Sequence, residues 1–451
     1  MAGNTNLNRT PSSAGNRRTW TFSAWVKRSS LSTGNQVLFQ GMTGGFPEKI
    51  QFTSSDRLEY DHDIAGTDYT IYSSAQFRDV NSWYHIVVAK DTTQATETDR
   101  IKFWVNNVQL AMTEEALGYP GQNYEGQINN NVEHCLGSNT NGGEFFEGCM
   151  SHVHLTDGTA YTPSAFGETD STTGEWKIKT NPSVSYGTNG FFMFKDDASL
   201  SDDSGQGNNF AKEAGDLLAT KDCPSNVFAT INPHTRYHGD KAVLEYGNLQ
   251  VAGSTGGGAK WYGCSTLGFT KGKFYCEILN KTTSNASLAV GVSMNPVRNQ
   301  YENHAPGARN SDIATENYSG NIVINNSNVS VGYGSTWTAN NDICMLAVDA
   351  DNNKFYIGKN GTWADSDNPS SNTGGYDMSS VANHAESTPF YFFSFGSTSG
   401  TYMNSFSVNF GNGFFGITAV SSAGSNASGL GTFEYDVPTG FTALCTKGLN
   451  E

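Results

Sequence analysis

Thr19-Trp-Thr-Phe-Ser-Ala-Trp-Val-Lys27 places Trp20, Phe22, Ala24 and Val26 at every second position, the period of a strand with one face toward a core. Far along the chain, Ile343-Cys-Met-Leu-Ala-Val-Asp349 is followed by Ala-Asp-Asn-Asn and then by Lys354-Phe-Tyr-Ile-Gly358, the pattern of two strands joined by a tight turn. The same period recurs in both halves, and no helix-period stretch of comparable strength interrupts it. The fold class expected is all-β, with two β-sandwich (jelly-roll) domains in tandem.

Composition agrees with that expectation. A chain of 451 residues is too long for one core and suits two of about 200 residues each. Fifty glycines and only 16% charged residues, against 12% aromatics, describe strands with large buried rings joined by long polar loops. The net charge of −16, from 43 acidic and 27 basic residues, argues against nucleic acid, whose binding needs Lys and Arg on phosphates. It also argues against anionic membrane surfaces. No apolar run approaches the ~20 residues of a membrane helix, so no membrane insertion is expected. Met1-Ala-Gly-Asn-Thr-Asn has neither the basic nor the apolar segment of a secretion signal. The seven cysteines, an odd number without Cys-x-x-Cys spacing, fit a reducing cytoplasm and free thiols in strands.

The first block, residues 1–200, continues with Gln36–Gln40, Lys49–Thr53, Arg57–Asp61, Trp83–Ala89 and Arg100–Val105. Asn106-Asn107 suits a two-residue hairpin turn with positive φ. Phe145–Leu155 closes the sheet, and Phe191–Phe194 is a late strand. The order Trp-Thr-Phe-Ser-Ala-Trp-Val-Lys, Trp83-Tyr-His-Ile-Val, Phe-Trp-Val-Asn-Asn and Phe-Glu-Gly-Cys-Met-Ser-His-Val resembles a concanavalin A-like, laminin-G-type jelly roll. Residues 201–235 carry polar turns and prolines and form an ordered interdomain connection, pinned by Phe210, Val227, Phe228 and Ile231. The second block, 236–451, has strands expected at Leu244–Val251, Gly272–Leu279, Ser287–Ser293, Ile343–Val348, Lys354–Gly358, Phe390–Phe395 and Ser405–Phe410. Gly-Lys-Phe-Tyr-Cys-Glu-Ile, Ala-Val-Gly-Val, Val-Asp-Ala-Asp-Asn-Asn-Lys-Phe-Tyr-Ile-Gly-Lys-Asn-Gly-Thr-Trp363 and Val-Asn-Phe-Gly411 resemble a SPRY domain, which implies recognition through the loops at one end of a sandwich.

Catalytic pairs are sparse. Jelly-roll glucanases carry Glu-x-Asp-x-Glu on one strand. The nearest stretch here, Glu59, Asp61 and Asp63 in Arg57–Asp63, does not match it, so no enzyme is expected. No cofactor is expected, although Asp196, Asp197, Asp202 and Asp203 form an acidic loop that could offer oxygens to calcium. A plain polar turn is the competing reading. Asp349-x-Asp-x-Asn353 lacks the glycine and the final glutamate of a calcium-binding loop and reads as a hairpin turn. Cys149, His152 and His154 have the chemistry of zinc ligands, yet His152-Val-His154 fits simple alternation of faces on a strand.

Sugar recognition asks for less: an aromatic face for the C–H side of a ring, with amides or carboxylates for its hydroxyls. Tyr119, Asn123 and Tyr124, with Asn139 and Asn141, are the loop candidates in the first block. Trp261, Tyr262, Trp337, Trp363 and Tyr376 are those in the second. The jelly roll, the joint Pro224-Ser-Asn-Val-Phe-Ala-Thr-Ile-Asn-Pro233 and the SPRY-like block together resemble virion proteins of aquatic tailed bacteriophages, as does Arg9-Thr-Pro-Ser-Ser-Ala-Gly-Asn-Arg-Arg-Thr-Trp20. That resemblance implies a non-enzymatic protein, made in the host cytoplasm and placed on the virion surface. As a tail fibre or appendage adhesin it would bind a host-surface glycan or protein. The alternative is a capsid-decorating protein or head fibre held by shell subunits, and a glycan depolymerase is the third reading. Other virion proteins are the expected neighbours, and a homo-oligomer, a trimer first, is the expected assembly.

Overall fold

The computed structural model describes residues 4–31, 33–64, 66–196, 198–235, 242–253, 260–281, 288–296, 304–399 and 405–450. They form two compact units, Met1–Ala219 and Thr220–Glu451. Strands dominate both, and the described α-helix is a single turn, Ser379–Ala382. The expected architecture, all-β with two β-sandwiches in tandem, is the one observed.

In the first unit an eight-stranded antiparallel sheet runs Met112–Ala116, Thr67–Ser73, Leu58–Ile64, Phe46–Phe52, Gln36–Thr43, Glu133–Leu136, Asn6–Arg9 and Ala211–Ala214. It faces a six-stranded sheet of Phe191–Met193, Gly148–Asp157, Thr19–Arg28, Tyr84–Asp91, Ile101–Val105 and Val108–Gln109. Trp20, Phe22, Ala24 and Val26 are fully buried between them, with Phe22 stacked on Phe39 at 5.5 Å. Burial of such side chains contributes about 1.5–3 kcal/mol each. Alternation predicts a solvated second face for Thr19–Arg28, but Thr21, Ser23 and Trp25 are buried too. Segment 158–194 supplies the reason: it lays the hairpin Gly167–Thr169/Trp176–Ile178 over that face, and Trp176 bonds to His85. Asn106 and Asn107 both take positive φ, 48° and 68°, and join Ile101–Val105 to Val108–Gln109 as the sequence predicts.

The second unit has a nine-stranded sheet. Its path is Ala242–Glu245, Gln250–Gly253, Phe406–Asn409, Lys273–Asn280, Ile343–Asp349, Lys354–Lys359 and Thr362–Trp363, with Tyr376–Asp377 and Thr442–Ala443 paired beside it. The facing sheet runs Tyr262–Cys264, Phe392–Ser397, Leu288–Ser293, Asp312–Glu316, Ile322–Ile324 and Ser327–Ser330. Leu244–Val251, expected as one strand, is the hairpin Ala242–Glu245/Gln250–Gly253. Tyr246, Gly247 and Asn248 all take positive φ in its turn.

The expected connection 201–235 is not a separate segment. Phe210 is buried in the first core, and Ala211–Ala214 pairs with Asn6–Arg9. Residues from 220 onward belong to the second unit. There Phe228, Ala229 and Ile231 are buried, Ala229 N donates to Leu444 O, and Ile231 N donates to Asn248 O. Asn226 Oδ1 accepts from Lys447 N at 3.1 Å, and Thr230 N donates to Thr266 Oγ1 at 3.0 Å. The Pro-Ser-Asn-x-Phe-Ala-Thr stretch is therefore a strap sewn into the second sandwich.

A tryptophan-lined candidate binding cleft

Asn360-Gly361 decides the local geometry of the strongest site. Both take positive φ, 49° and 85°, closing a two-residue hairpin that registers Gly358 against Trp363 and Lys359 against Thr362. A Cβ on Gly358 would lie 3.2 Å from Trp363 Cε3 and 2.9 Å from Thr362 O, so glycine there admits the indole. Opposite, the segment Gly334-Ser-Thr-Trp337 passes so near Ile357 that a Cβ on Gly334 would stand 2.5 Å from its Cδ1. Between these two walls lies a cleft of about 320 Å³ with Cys344 among its lining residues. Trp337 is buried in the core, and its backbone N donates to Asn317 O at 2.9 Å. Trp363 is half-buried, with one side against Tyr275 at 6.3 Å between centroids.

Charge at the cleft is already balanced. Lys359 Nζ lies 3.0 Å from Asp342 Oδ2 and donates to Thr336 O at 2.8 Å, tying the two walls together. The Asn360 amide is spent: Nδ2 donates to Asp342 Oδ1 and Oδ1 accepts from Ile343 N. Burial would raise the Asp342 carboxyl, but bonds from Asn360 and Lys359 outweigh it and hold the group below its ordinary value. Burial pushes the Cys344 thiol far up, so it stays neutral and inert.

The cleft brings together two of the aromatics expected in loops, Trp337 and Trp363. Tyr376 instead meets Tyr333 edge to face at 6.3 Å, and the Tyr333 hydroxyl donates to Asp367. Trp261 and Tyr262 are corrected: both are fully buried, Trp261 in the main core against Phe406. The hydroxyl-bearing neighbours Ser335 and Thr362 were missed. Their signal is a repeat, Gly334-Ser-Thr-Trp337 and Gly361-Thr-Trp363, each a glycine and a hydroxyl residue leading into tryptophan.

In the first unit the candidates do not converge. Tyr119 lies in a loop as expected, but its side chain packs in the core at 9% exposure, which corrects its place among ligand-facing aromatics. Tyr124 is half-buried, its hydroxyl 2.7 Å from His62 Nε2, and Asn123 is exposed beside it with φ 61°. Asn139 spends its side chain on its own turn, accepting from Asn141 N and Gly143 N. No hydrogen bond among the described residues joins the two loops.

The acidic loop is likewise committed to itself. Asp202 Oδ1 accepts from Phe192 N and Ser204 N, and Oδ2 from Ser204 Oγ and Asn208 N. All four lone-pair directions are used, which corrects the calcium expectation at Asp202. Asp203 N donates to Phe192 O, Asp196 lies near His152, and Asp197 lies outside the described residues. Among the described residues no three His, Cys, Asp or Glu side chains gather as metal ligands, Cys149, His152 and His154 included. Asp349 accepts from Asn352 N and Nδ2 across its hairpin turn.

Glu59 lies half-buried on the strand Leu58–Ile64. Burial, countered by a bond from Gln51 and reinforced by Asp61, raises its carboxyl to about 7. Asp61 on the same face is bound by Lys49 at 3.3 Å and by Thr70 at 3.1 Å.

Residues 2–165 match the model of the concanavalin A-like lectin/glucanase superfamily, laminin-G type. No curated protein matches the sequence. Among solved structures the chain is similar to the SPRY domain of human HERC1, at 18% identity, covering 40% of this chain and 96% of that one with a TM-score of 0.29. It is similar to a human SPRY domain at 13% identity, covering 37% and 94% with a TM-score of 0.27. A heptameric SAP-like pentraxin from Limulus polyphemus is similar at 15% identity, covering 35% and 71% with a TM-score of 0.26. The lectin-like fold of the first unit points to carbohydrate or protein binding.

Proposed function

We propose that this chain is a non-enzymatic binding protein on the surface of a tailed-bacteriophage virion, holding a host-surface glycan or protein. The observation that carries the binding role is the cleft in which Trp337 and Trp363 stand together beside Ser335 and Thr362. Its placement on a virion rests on the order of sequence motifs from Arg9 to the joint at Pro224–Pro233. A cleft this small gives weak contacts, and a site of about 1 mM contributes only ~4 kcal/mol. Display in several copies raises avidity ~10²–10⁴-fold, which suits an oligomer on a particle. Purified protein is expected to adhere to host cells, and antibody label to decorate intact particles. Unlabelled particles would end the virion assignment, and label confined to the shell would make the protein a capsid decoration held by shell subunits.

One observation favours a second reading, glycan cleavage. Glu59, raised to about 7, and Asp61 stand two positions apart on one strand face, and a glycosidase works with a pair of carboxyls of which one has a raised pKa. Under the binding reading, host polysaccharide incubated with the protein releases no reducing ends. Release that disappears in Glu59→Gln would establish the enzyme instead.

A further inference from the structure

We infer that the cleft of the second sandwich receives one neutral, hydroxyl-rich sugar ring, a deepening that rests on the binding reading above. Three features of the cleft select this class. First, its lip carries hydroxyls that both donate and accept: Ser335 and Thr362 are exposed among the lining residues, next to the half-buried Trp363. An apolar side chain seated here would strip water from these groups and return no hydrogen bond. A sugar edge supplies acceptor oxygens, while its C–H face lies on the Trp363 indole.

Second, no charge is left to recognise an anion. Lys359 reaches Asp342 at 3.0 Å and Thr336 O at 2.8 Å, and the chain carries a net charge of −16. A uronic acid would bring a carboxylate to a wall whose cation is already paired. Third, 320 Å³ lies at the low end of ligand pockets, about 300–1,000 Å³, which suits a single ring. The glycines at 334 and 358 create this room, and either one replaced by a larger residue would meet Ile357 or Trp363.

Saturation-transfer NMR on the full chain tests the assignment, with methyl glycosides of glucose, galactose, mannose and N-acetylglucosamine as probes, and glucuronic acid and N-acetyl-phenylalaninamide as competitors in class. At least one neutral glycoside is expected to receive transfer through its ring C–H protons. That transfer should fall roughly tenfold in Trp363→Ala and in Thr362→Leu, a change at an exposed lip residue that fills the mouth. Thermal unfolding of Thr362→Leu at the wild-type temperature excludes misfolding as the cause. Transfer to phenylalaninamide or glucuronic acid in place of the neutral glycosides overturns the assignment, as does glycoside binding that both variants leave intact. Host-cell adhesion separates the two readings. Adhesion that persists without glycoside binding sinks the sugar assignment alone, and glycoside binding without adhesion sinks the proposed function alone.

Discussion

Lys90 and Glu48 sit fully buried inside the first sandwich, Nζ to Oε1 at 2.5 Å. The Tyr60 hydroxyl donates to the same carboxylate at 2.8 Å and Ile128 N at 2.7 Å, and the rings of Trp20, Tyr60 and Tyr124 lie 5.7 Å from the ammonium. Burial alone would raise the Glu48 carboxyl, but Lys90 outweighs it and the group is held below its ordinary value. Removing one partner leaves the other charged and unpaired. Lys90→Met should therefore lose about 3–5 kcal/mol in urea unfolding of the first unit, and adding Glu48→Leu should recover much of that loss. A double variant no more stable than Lys90→Met would show that the other donors to Glu48 dominate. The pair was invisible in the sequence: 42 positions separate its members, and each stands beside an unremarkable turn or strand end. Trp337 and Trp363 were visible as aromatics near loops, but their shared cleft depends on glycines whose effect is steric and three-dimensional.

Segment 158–194 is the element that most changes the first unit. It converts the outer face of the six-stranded sheet into a second interior holding His85, His152 and His154. The Trp176 indole can only donate, so His85 Nδ1, 2.9 Å away, must accept. Nε2 then carries the proton toward Ser23 Oγ at 2.9 Å. His154 packs on Phe192 at 4.0 Å between centroids and bonds the Tyr186 hydroxyl. His152 bonds Ser151 Oγ, with Asp196 and Lys195 near it. Burial, with the charge of His152, lowers His85 to about 3; burial, with the charges of His152 and His85, lowers His154 far below its usual range; and burial lowers His152 to about 4. The unfolded chain therefore takes up protons first. Stability contributed by these groups is full above about pH 6.5 and declines as pH falls toward 4, by about 1.4 kcal/mol per pH unit for each histidine. Protection factors of residues 158–194, taken against the intrinsic exchange rate at each pH, should fall from pH 6.5 to 4.5 ahead of those of the eight-stranded sheet, and His85→Gln should remove roughly a third of that slope. Equal slopes in wild type and variant would dismiss the histidine layer as the cause. Hairpins were the legible part of this scale. Asn106-Asn107 and the turn after Asp349 sit where turn chemistry puts them, whereas Asn360-Gly361 and Tyr246-Gly-Asn248 were passed over.

At the scale of the whole molecule, the chain divides at Ala219/Thr220, and the two units claim the stretch between the expected domains. Fragments 1–219 and 220–451 are each expected to fold, with strand-rich circular dichroism and cooperative melting. Fragment 1–200 lacks Phe210, buried in the core, and the edge strand Ala211–Ala214. It should be weaker than 1–219 by about 3–5 kcal/mol, the scale of a lost buried phenylalanine. Fragment 236–451 lacks Phe228, Ala229 and Ile231 with their backbone bonds and should melt well below 220–451. Equal melting within either pair would place the boundary where composition alone puts it. The amino-acid order by itself determined an all-β chain, two sandwiches and the hairpin turns at Asn106-Asn107 and after Asp349, because side-chain alternation and turn preference act between residues a few positions apart. Only the tertiary structure decided which polar groups are buried and which aromatics share a cleft. Those outcomes depend on register, on small residues that let two segments approach, and on coverage by straps, as when Trp176 reaches His85 from 91 positions away. Contacts over such separations leave no periodic trace along the chain.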